Sequence, residues 1–397
     1  MYTQNRLFTE GYNYYINHQY KNAIIKFSAA IESGLENDEV YALRGHCFLL
    51  SEQPENALTD ANKAIEINSK SSLAYNIRAI IKLSQEMSYQ CIQPLRMESA
   101  TAFTFQGGTL SSESIDKIKQ ALSDAQNAEK YGNKKDSMTY TILGNAYFLL
   151  EDYENSKQAL DKALHIDKNN AQALLKRSQL NYILKNYEQA LIDTTNCLSQ
   201  EPKNTDAYDC RGRAYYQLKN YEKAIEDLNF VLKKNPHNDF AYFYRGCAYY
   251  FLDNYQKAID DFQESINLNP ANAYAYDLIG RAYWFIGNYQ ETINNETMSI
   301  LLYPENASAY DFRGRAHYFL KEYYKTVQDE TTAINLGNCS YSAYDCRGRA
   351  YFYLKRYKDS LTDLKKAYDM NPNNEDLYNF LKRIYNLISK NSVITQN

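Results

Sequence analysis

No run in the sequence approaches the length of a membrane span, and the opening MYTQNRLFTEGYNYYI has neither an apolar core between basic residues nor a small-residue cleavage site. A soluble, unexported, cytoplasmic protein is expected. Seven cysteines (Cys47, Cys91, Cys197, Cys210, Cys247, Cys339 and Cys346) are odd in number and show no CxxC or other metal-ligand spacing. Reduced, buried thiols follow, with no metal and no other cofactor. Five histidines (His18, His46, His165, His237 and His317) share no spacing that suggests a triad or a ligand set. There is no GxGxxG or phosphate-loop cluster, and the isolated Gly107-Gly108 has no strand before it. An enzyme is not expected. A basic surplus is missing too: the formal charge is -4, which argues against a phosphate backbone as the main ligand.

Against one tryptophan, seven prolines and fourteen glycines stand forty tyrosines. Neither helix propensity nor ordinary surface composition favours Tyr, so a periodic demand for it is implied. The glycines supply the period. Gly212, Gly246, Gly280, Gly314 and Gly348 follow one another at 34 residues, and Ser178 fills the step between Gly144 and Gly212. Around them recurs a pattern seen as AYDCRGRAYYQLKNYEKAIED from Ala207 and AYDCRGRAYFYLKRYKDSLTD from Ala343. Helical spacing puts Tyr208, Arg211 and Tyr215 on one face of a first helix and Ala224, Leu228 and Val231 on the facing stripe of a second. The segments KNPHN, LNPAN, LYPEN and MNPNN end the second helix, because Pro cannot continue it.

This pattern resembles the tetratricopeptide repeat family, whose hallmark is a helix-turn-helix unit of that length. It holds without interruption from Ser137, Ala171, Thr205, Asp239, Ala273, Ala307 and Tyr341, with earlier copies from about Gln4, Asp38 and Ser72. The family's tryptophan near the start of the first helix is here nearly always Tyr, as at Tyr242, Tyr276 and Tyr310. The small residue opening the second helix drifts to Ser156, Thr292, Thr326 and Ser360, which is expected to loosen packing. The implied fold is all-α, a right-handed superhelical solenoid of about ten helix pairs.

Within each repeat the seventh and twenty-third residues covary: Arg44 with Asp60, Arg177 with Asp193, Arg211 with Asp227, Arg245 with Asp261, Arg313 with Asp329, Arg347 with Asp363. Where the arginine is lost the aspartate is lost as well (Leu143 with Ala159, Ile279 with Asn295), and the first repeat exchanges the charges as Glu10 with Lys26. An ion pair between the two helices accounts for this. In the third repeat Arg78 and Asp124 keep the pair only if residues 86–115 are an irregular insertion. Leu377, Leu381, Ile384 and Ile388 mark a capping helix over 375–390, and 391–397 reads as a frayed tail.

Resemblance to the family implies that residues two, five, nine and twelve of each repeat line a concave groove. There a second set of arginines, Arg213, Arg281, Arg315 and Arg349, each follows an aspartate by four residues (Asp209, Asp277, Asp311, Asp345). Repeat seven departs from this with Phe240, Phe243, Cys247 and Tyr250, beside Tyr274 and Trp284 of repeat eight. An aromatic patch rimmed by charge results, with Tyr216, Asp277 and Asp311 among its borders. The lysine and asparagine clamp by which some family members grip a chaperone's C-terminal carboxylate is missing, apart from a lone Asn145. The expected function is a protein-binding scaffold or adaptor that takes a peptide or helix of another protein. Two alternatives stay open: a sensor of a small peptide or metabolite, and a subunit of a nucleic-acid-associated complex.

Overall fold

The computed structural model describes residues 2–87 and 111–394. They fall into two compact units, Met1–Ala214 and Tyr215–Asn397. The first holds α1 (Tyr2–Ile16), α2 (Tyr20–Glu32), α3 (Asp38–Leu50), α4 (Pro54–Ile67), α5 (Ser72–Met87), α6 (Ser112–Tyr131), α7 (Ser137–Leu149), α8 (Tyr153–Ile166), α9 (Ala171–Ile183), α10 (Tyr187–Gln200) and most of α11 (Thr205–Gln217). The second holds α12 (Tyr221–Lys234), α13 (Asp239–Phe251), α14 (Tyr255–Leu268), α15 (Ala273–Phe285), α16 (Tyr289–Leu302), α17 (Ala307–Phe319), α18 (Tyr323–Asn335), α19 (Tyr341–Tyr353), α20 (Tyr357–Met370) and α21 (Glu375–Ile394). The protein is all-α, with no strand among the described residues.

Within each unit odd helices pair with the even helix that follows, as α7 with α8 in the first and α15 with α16 in the second. Odd helices also touch the next odd helix, as α5 with α7 in the first unit and α15 with α17 in the second. Local chemistry sets the ends. Asn37, Asn170, Asn238, Asn272 and Asn306 cap first helices by accepting the N–H three residues on, at 2.9 to 3.2 Å. The helices α12, α14, α16 and α20 end two residues before Pro236, Pro270, Pro304 and Pro372. Between the two helices of a pair, the N–H of Asn186 reaches back to the Asn181 carbonyl at 2.8 Å, and that of Asn254 to Tyr249 at 2.9 Å. The closing residue is left-handed: among the described turns it is Gly at Gly287, and at others it is His18, Glu52, Glu151, Lys185, Lys219, Asp253, Lys321 or Lys355, with φ between 57 and 63°.

In most pairs the first helix carries a glycine, and in several it is a notch. Phe27 fills it at Gly11, Leu160 at Gly144, Phe262 at Gly246 and Leu364 at Gly348, where an added Cβ would come within 2.5 to 2.8 Å of the incoming side chain. At three of the four drifted positions the hydroxyl does not loosen this contact as expected, whereas Thr326 donates to the Glu322 carbonyl at 3.5 Å. Ser156 donates to the Gly144 carbonyl at 2.8 Å, Thr292 to Gly280 at 3.0 Å and Ser360 to Gly348 at 2.7 Å, and all three are fully buried. The hydroxyl adds a bond where the helices touch.

Within each unit the covarying charges meet. Arg245 Nε and Nη2 donate to the two oxygens of Asp261 at 2.7 and 2.6 Å, and the same two-pronged contact joins Arg44 to Asp60, Arg177 to Asp193, Arg313 to Asp329 and Arg347 to Asp363. Arg78 makes it with Asp124 at 2.9 and 2.6 Å across the insertion, which sets the register of α5 against α6. Lys26 and Glu10 meet at 2.8 Å with charges exchanged. The guanidinium lies over the tyrosine three residues earlier, Arg245 over Tyr242 at 5.5 Å and Arg313 over Tyr310 at 5.4 Å. Its remaining nitrogen donates to the preceding pair: Arg177 to Asp161 at 2.9 Å, Arg245 to Asn229 at 2.6 Å, Arg347 to Thr331 at 3.1 Å.

Two expected boundaries shift. The helix α5 continues to Met87 and α6 begins at Ser112, so both ends of the 86–115 segment are helical, while 88–110 lies outside the described residues. The cap, α21, runs to Ile394, past residue 390. Its Leu377, Leu381 and Ile384 are buried against a cluster with Leu364 and Ala367, which covers the apolar face of the last pair.

Asp261→Ala should destabilise the protein by about 3 kcal/mol in urea denaturation, because it strands a guanidinium that is mostly enclosed. Exchanging the charges, Arg245→Asp with Asp261→Arg, should recover part of that loss, as the first pair already does. No recovery would contradict a direct contact as the source of the covariation.

Candidate functional site

The tyrosines and arginines singled out in the sequence fall in both units. Arg213 belongs to the first: it meets Asp209 at 2.8 Å, lies over Tyr182 at 5.2 Å and is 2% exposed. Burial pushes the Asp209 carboxyl above its usual range, against the pull of Arg213. The other residues lie in the second unit.

Aromatic contact dominates its first helices. Phe243 is buried, packed on Phe262 at 5.8 Å and Tyr274 at 5.5 Å, so it supports the surface from below. Phe240, Tyr216, Tyr250, Tyr274 and Trp284 are half-buried. Tyr216 meets Tyr244 edge-on at 5.5 Å, and Tyr250 meets Phe285 at 6.1 Å. Trp284 packs its ring on Phe312 at 5.8 Å and on Phe319 at 6.3 Å. Burial raises the Tyr216 and Tyr274 hydroxyls well above the usual phenol range, which keeps both neutral donors.

The arginines of this unit are clamped from one side and stacked on the other. Arg281 meets Asp277 at 2.6 Å, Arg315 meets Asp311 at 3.7 Å and Arg349 meets Asp345 at 2.7 Å. These are not the exposed surface pairs that i,i+4 spacing suggests: the Asp277 side chain has no exposure and that of Asp311 7%, whereas Arg281 and Arg315 each keep 22%. Arg315 lies 4.0 Å from the Trp284 ring and 4.8 Å from Phe312, and Arg281 sits 5.1 Å from the same Phe312 ring. Arg281 also donates to Ser308 at 2.8 Å, and Arg349 reaches Asp376 of the cap at 2.6 Å. Aspartate lies beneath, and guanidinium and aromatic edge lie outside.

Sequence reasoning missed two members of this cluster. The place filled by Phe262 or Leu364 in neighbouring pairs is taken by Glu296 on α16 and Glu330 on α18. Both are fully buried, with no hydrogen-bond partner at either carboxyl oxygen. Glu296 rests in the Gly280 notch and Glu330 in the Gly314 notch, each beside the aspartate of the first helix. Burial, and then Asp277, lifts Glu296 well above the ordinary glutamate value of 4.5; burial, and then Asp311, does so for Glu330. The available signal was a Glu breaking a column otherwise held by Phe and Leu. A second feature, also missed, is a run of stacked rings at the turns: Tyr221 on Phe251, Tyr255 on Phe285, Tyr289 on Phe319 and Tyr323 on Tyr353, within 9° of parallel at 4.5 to 5.3 Å.

The tetratricopeptide repeat family model matches residues 205–238, 239–272 and 341–374, and a second model of the same description matches 139–170. These four segments are thus tetratricopeptide repeats, each falling on a pair of consecutive helices. The family is in general a non-enzymatic protein-interaction fold, so the partners it implies are other proteins. No curated protein matches the chain. Solved structures similar to it include a tetratricopeptide repeat protein from Parabacteroides merdae, 22% identical over 64% of this chain and 100% of that one, with a TM-score of 0.45. MamA is 23% identical over 42% and 96%, TM-score 0.38. YrrB, described as a TPR protein with an unusual peptide-binding site, is 20% identical over 47% and 95%, TM-score 0.42. Among the described residues no helix is long and apolar enough to cross a membrane, and no group of His, Cys, Asp or Glu could hold a metal ion.

A Cβ added at Gly280 would stand 2.6 Å from a Glu296 carboxyl oxygen. Gly280→Ala should therefore cost about 1 to 3 kcal/mol in urea denaturation. Gly280→Ala combined with Glu296→Ala, which empties the notch, should show a smaller added cost from the alanine at 280. An equal cost in both backgrounds would contradict the notch contact.

Proposed function

We propose that the protein is a non-enzymatic scaffold or adaptor that holds a peptide segment or helix of a partner protein against the first helices of its second unit. One observation carries the reading. The ninth place of α15, α17 and α19 presents a partly exposed guanidinium, Arg281, Arg315 and Arg349 in turn, and the twelfth place of α13 and α15 a half-buried ring, Tyr250 and Trp284. A surface that repeats along its length suits a ligand that also repeats, and a polypeptide does so. Half-buried aromatics beside charged groups are how protein interfaces concentrate binding energy. In this reading Trp284 and Tyr250 are the apolar anchors, Phe243 holds them from below, and Phe240, Tyr274 and Tyr216 extend the patch. Asp277 and Asp311 orient the arginines. Arg213, enclosed in the first unit, serves there as a packing residue.

The reading includes a reducing, cytoplasmic setting. Cys47, Cys197, Cys210, Cys247 and Cys346 are buried free thiols, and burial pushes those of Cys47 and Cys197 up to about 12, where they are unreactive. It excludes nucleic acid as the main ligand, for which affinity would fall steeply and linearly in log-log salt titrations.

The partner is to be obtained by affinity purification of the intact protein from its own cells. Trp284→Ala and Tyr250→Ala should each weaken its binding by about 2 kcal/mol, measured by calorimetry. Phe243→Ala should instead act first on stability, by about 3 to 5 kcal/mol, as truncation of an enclosed ring does. If the Trp284 and Tyr250 variants stay folded and bind at full strength, the site lies elsewhere.

A further inference from the structure

The buried charges of α15 to α18 do not balance if every carboxyl group is ionised. Two arginines, Arg281 and Arg315, face four carboxyl groups: Asp277, Asp311, Glu296 and Glu330. Arg313, the next nearest cation, is already held at both prongs by Asp329. No well-formed hydrogen bond reaches the carboxyl oxygens of Glu296 or Glu330, and the donor beside Glu330 is the weak thiol of Cys346. An ionised carboxylate can only accept, so two buried glutamates without a strong donor cannot both keep their charge without a large desolvation cost. A protonated one can donate, and each has an acceptor beside it in Asp277 or Asp311.

We propose that Glu296 and Glu330 are neutral carboxylic acids in the folded protein, each giving its proton to the neighbouring aspartate in a hydrogen bond, and that this makes the Arg281 and Arg315 edge select an acidic peptide segment. With the two protons in place, two aspartates balance two arginines, and the part that meets solvent is the guanidinium edge, since both glutamates and Asp277 have no exposure. Without them the cluster carries excess negative charge directly beneath that edge, and an acidic segment is repelled. The groups facing Glu296 are Asp277 and Arg281 from α15, Arg313 from α17 and Tyr250 from α13. Those facing Glu330 are Asp311 and Arg315 from α17 and Cys346 from α19. Only the two glutamates among these are carboxyl groups lifted well above 4.5, and the one donor beside either of them, apart from the arginines, is the weak Cys346 thiol at Glu330.

The sign follows from linkage. A carboxyl whose proton is held more tightly in the folded state than in the unfolded one favours folding below its ordinary value of 4.5, and that contribution is lost as pH rises through the folded value. The same protons should therefore be lost, along with acidic-peptide affinity, on the alkaline side.

The inference rests on the peptide-binding reading, and the experiment separates the two. Infrared spectra of the intact protein near about pH 7 should show a protonated-carboxyl C=O stretch that disappears in the double variant Glu296→Gln, Glu330→Gln, whose amides keep the shape and the donor. Absence of that difference overturns the proposal. The probe for binding is a fluorescein-labelled peptide of alternating glutamate and tyrosine, with a lysine and tyrosine peptide as control. The wild type should bind the acidic peptide at least about tenfold more tightly at about pH 6 than at about pH 8.5, and the double variant should bind it equally at both. Equal pH dependence in the two proteins, or tighter binding of the lysine peptide near pH 6, refutes the acidic selectivity while leaving the peptide-binding surface in place. An infrared difference with no peptide bound at any pH rejects the binding surface itself and keeps the neutral acids.

Discussion

The fold depends on one side chain used as a three-way connector. The arginine at the seventh place of most helix pairs grips an aspartate of its own second helix with two nitrogens and a polar group of the preceding pair with the third. A guanidinium suits this where an ammonium does not, because its donors point in fixed, coplanar directions. Tyrosine over the guanidinium face then accounts for part of the unusual tyrosine content: it offers a ring to the cation and a hydroxyl to solvent. A repeat array is stabilised by contacts within each repeat and with its neighbours, and here one residue contributes to both.

Where the connector is missing, apolar or amide groups take its place. Leu143 and Ala159 are buried together in the fourth pair, and in the eighth Ile279 is buried while Asn295 bonds its own helix at 2.9 Å. The eighth pair is also where glutamate enters the glycine notch. Loss of the ion pair and gain of a buried acid thus coincide there, although the ninth pair keeps Arg313 with Asp329 and still carries Glu330.

The helix pairs, their caps and the charge bridge were legible because each leaves a mark that recurs in most repeats: Asn before the first helix, Gly in the notch, Arg and Asp sixteen residues apart. The turn between the two helices was not legible from glycine. Lys185, Asp253 and Lys355 take the left-handed conformation without it, the backbone cost being met by the hydrogen bonds that close the helix. The candidate site was legible only in part. The aspartate and arginine spacing showed that they pair, but not that the aspartate is enclosed while the arginine keeps an open edge, since burial is decided by the neighbouring pair. Glu296 and Glu330 escaped notice because a glutamate on a helix ordinarily faces water; only the column of Phe27, Leu160, Phe262 and Leu364 shows that this place looks inward.

The two faces of the second unit differ in kind. First helices carry the enclosed aspartates, the stacked arginines and the half-buried rings, whereas on α18 a residue such as Tyr324 stands 69% exposed. The central claim is that a partner lies against the first helices. A photo-crosslinking phenylalanine analogue placed at Tyr250, and separately at Tyr324, in otherwise intact protein within its own cells tests this most directly. The account predicts a discrete adduct from position 250 that is lost when Trp284→Ala is added, and none from position 324. A discrete adduct from 324 alone would contradict it.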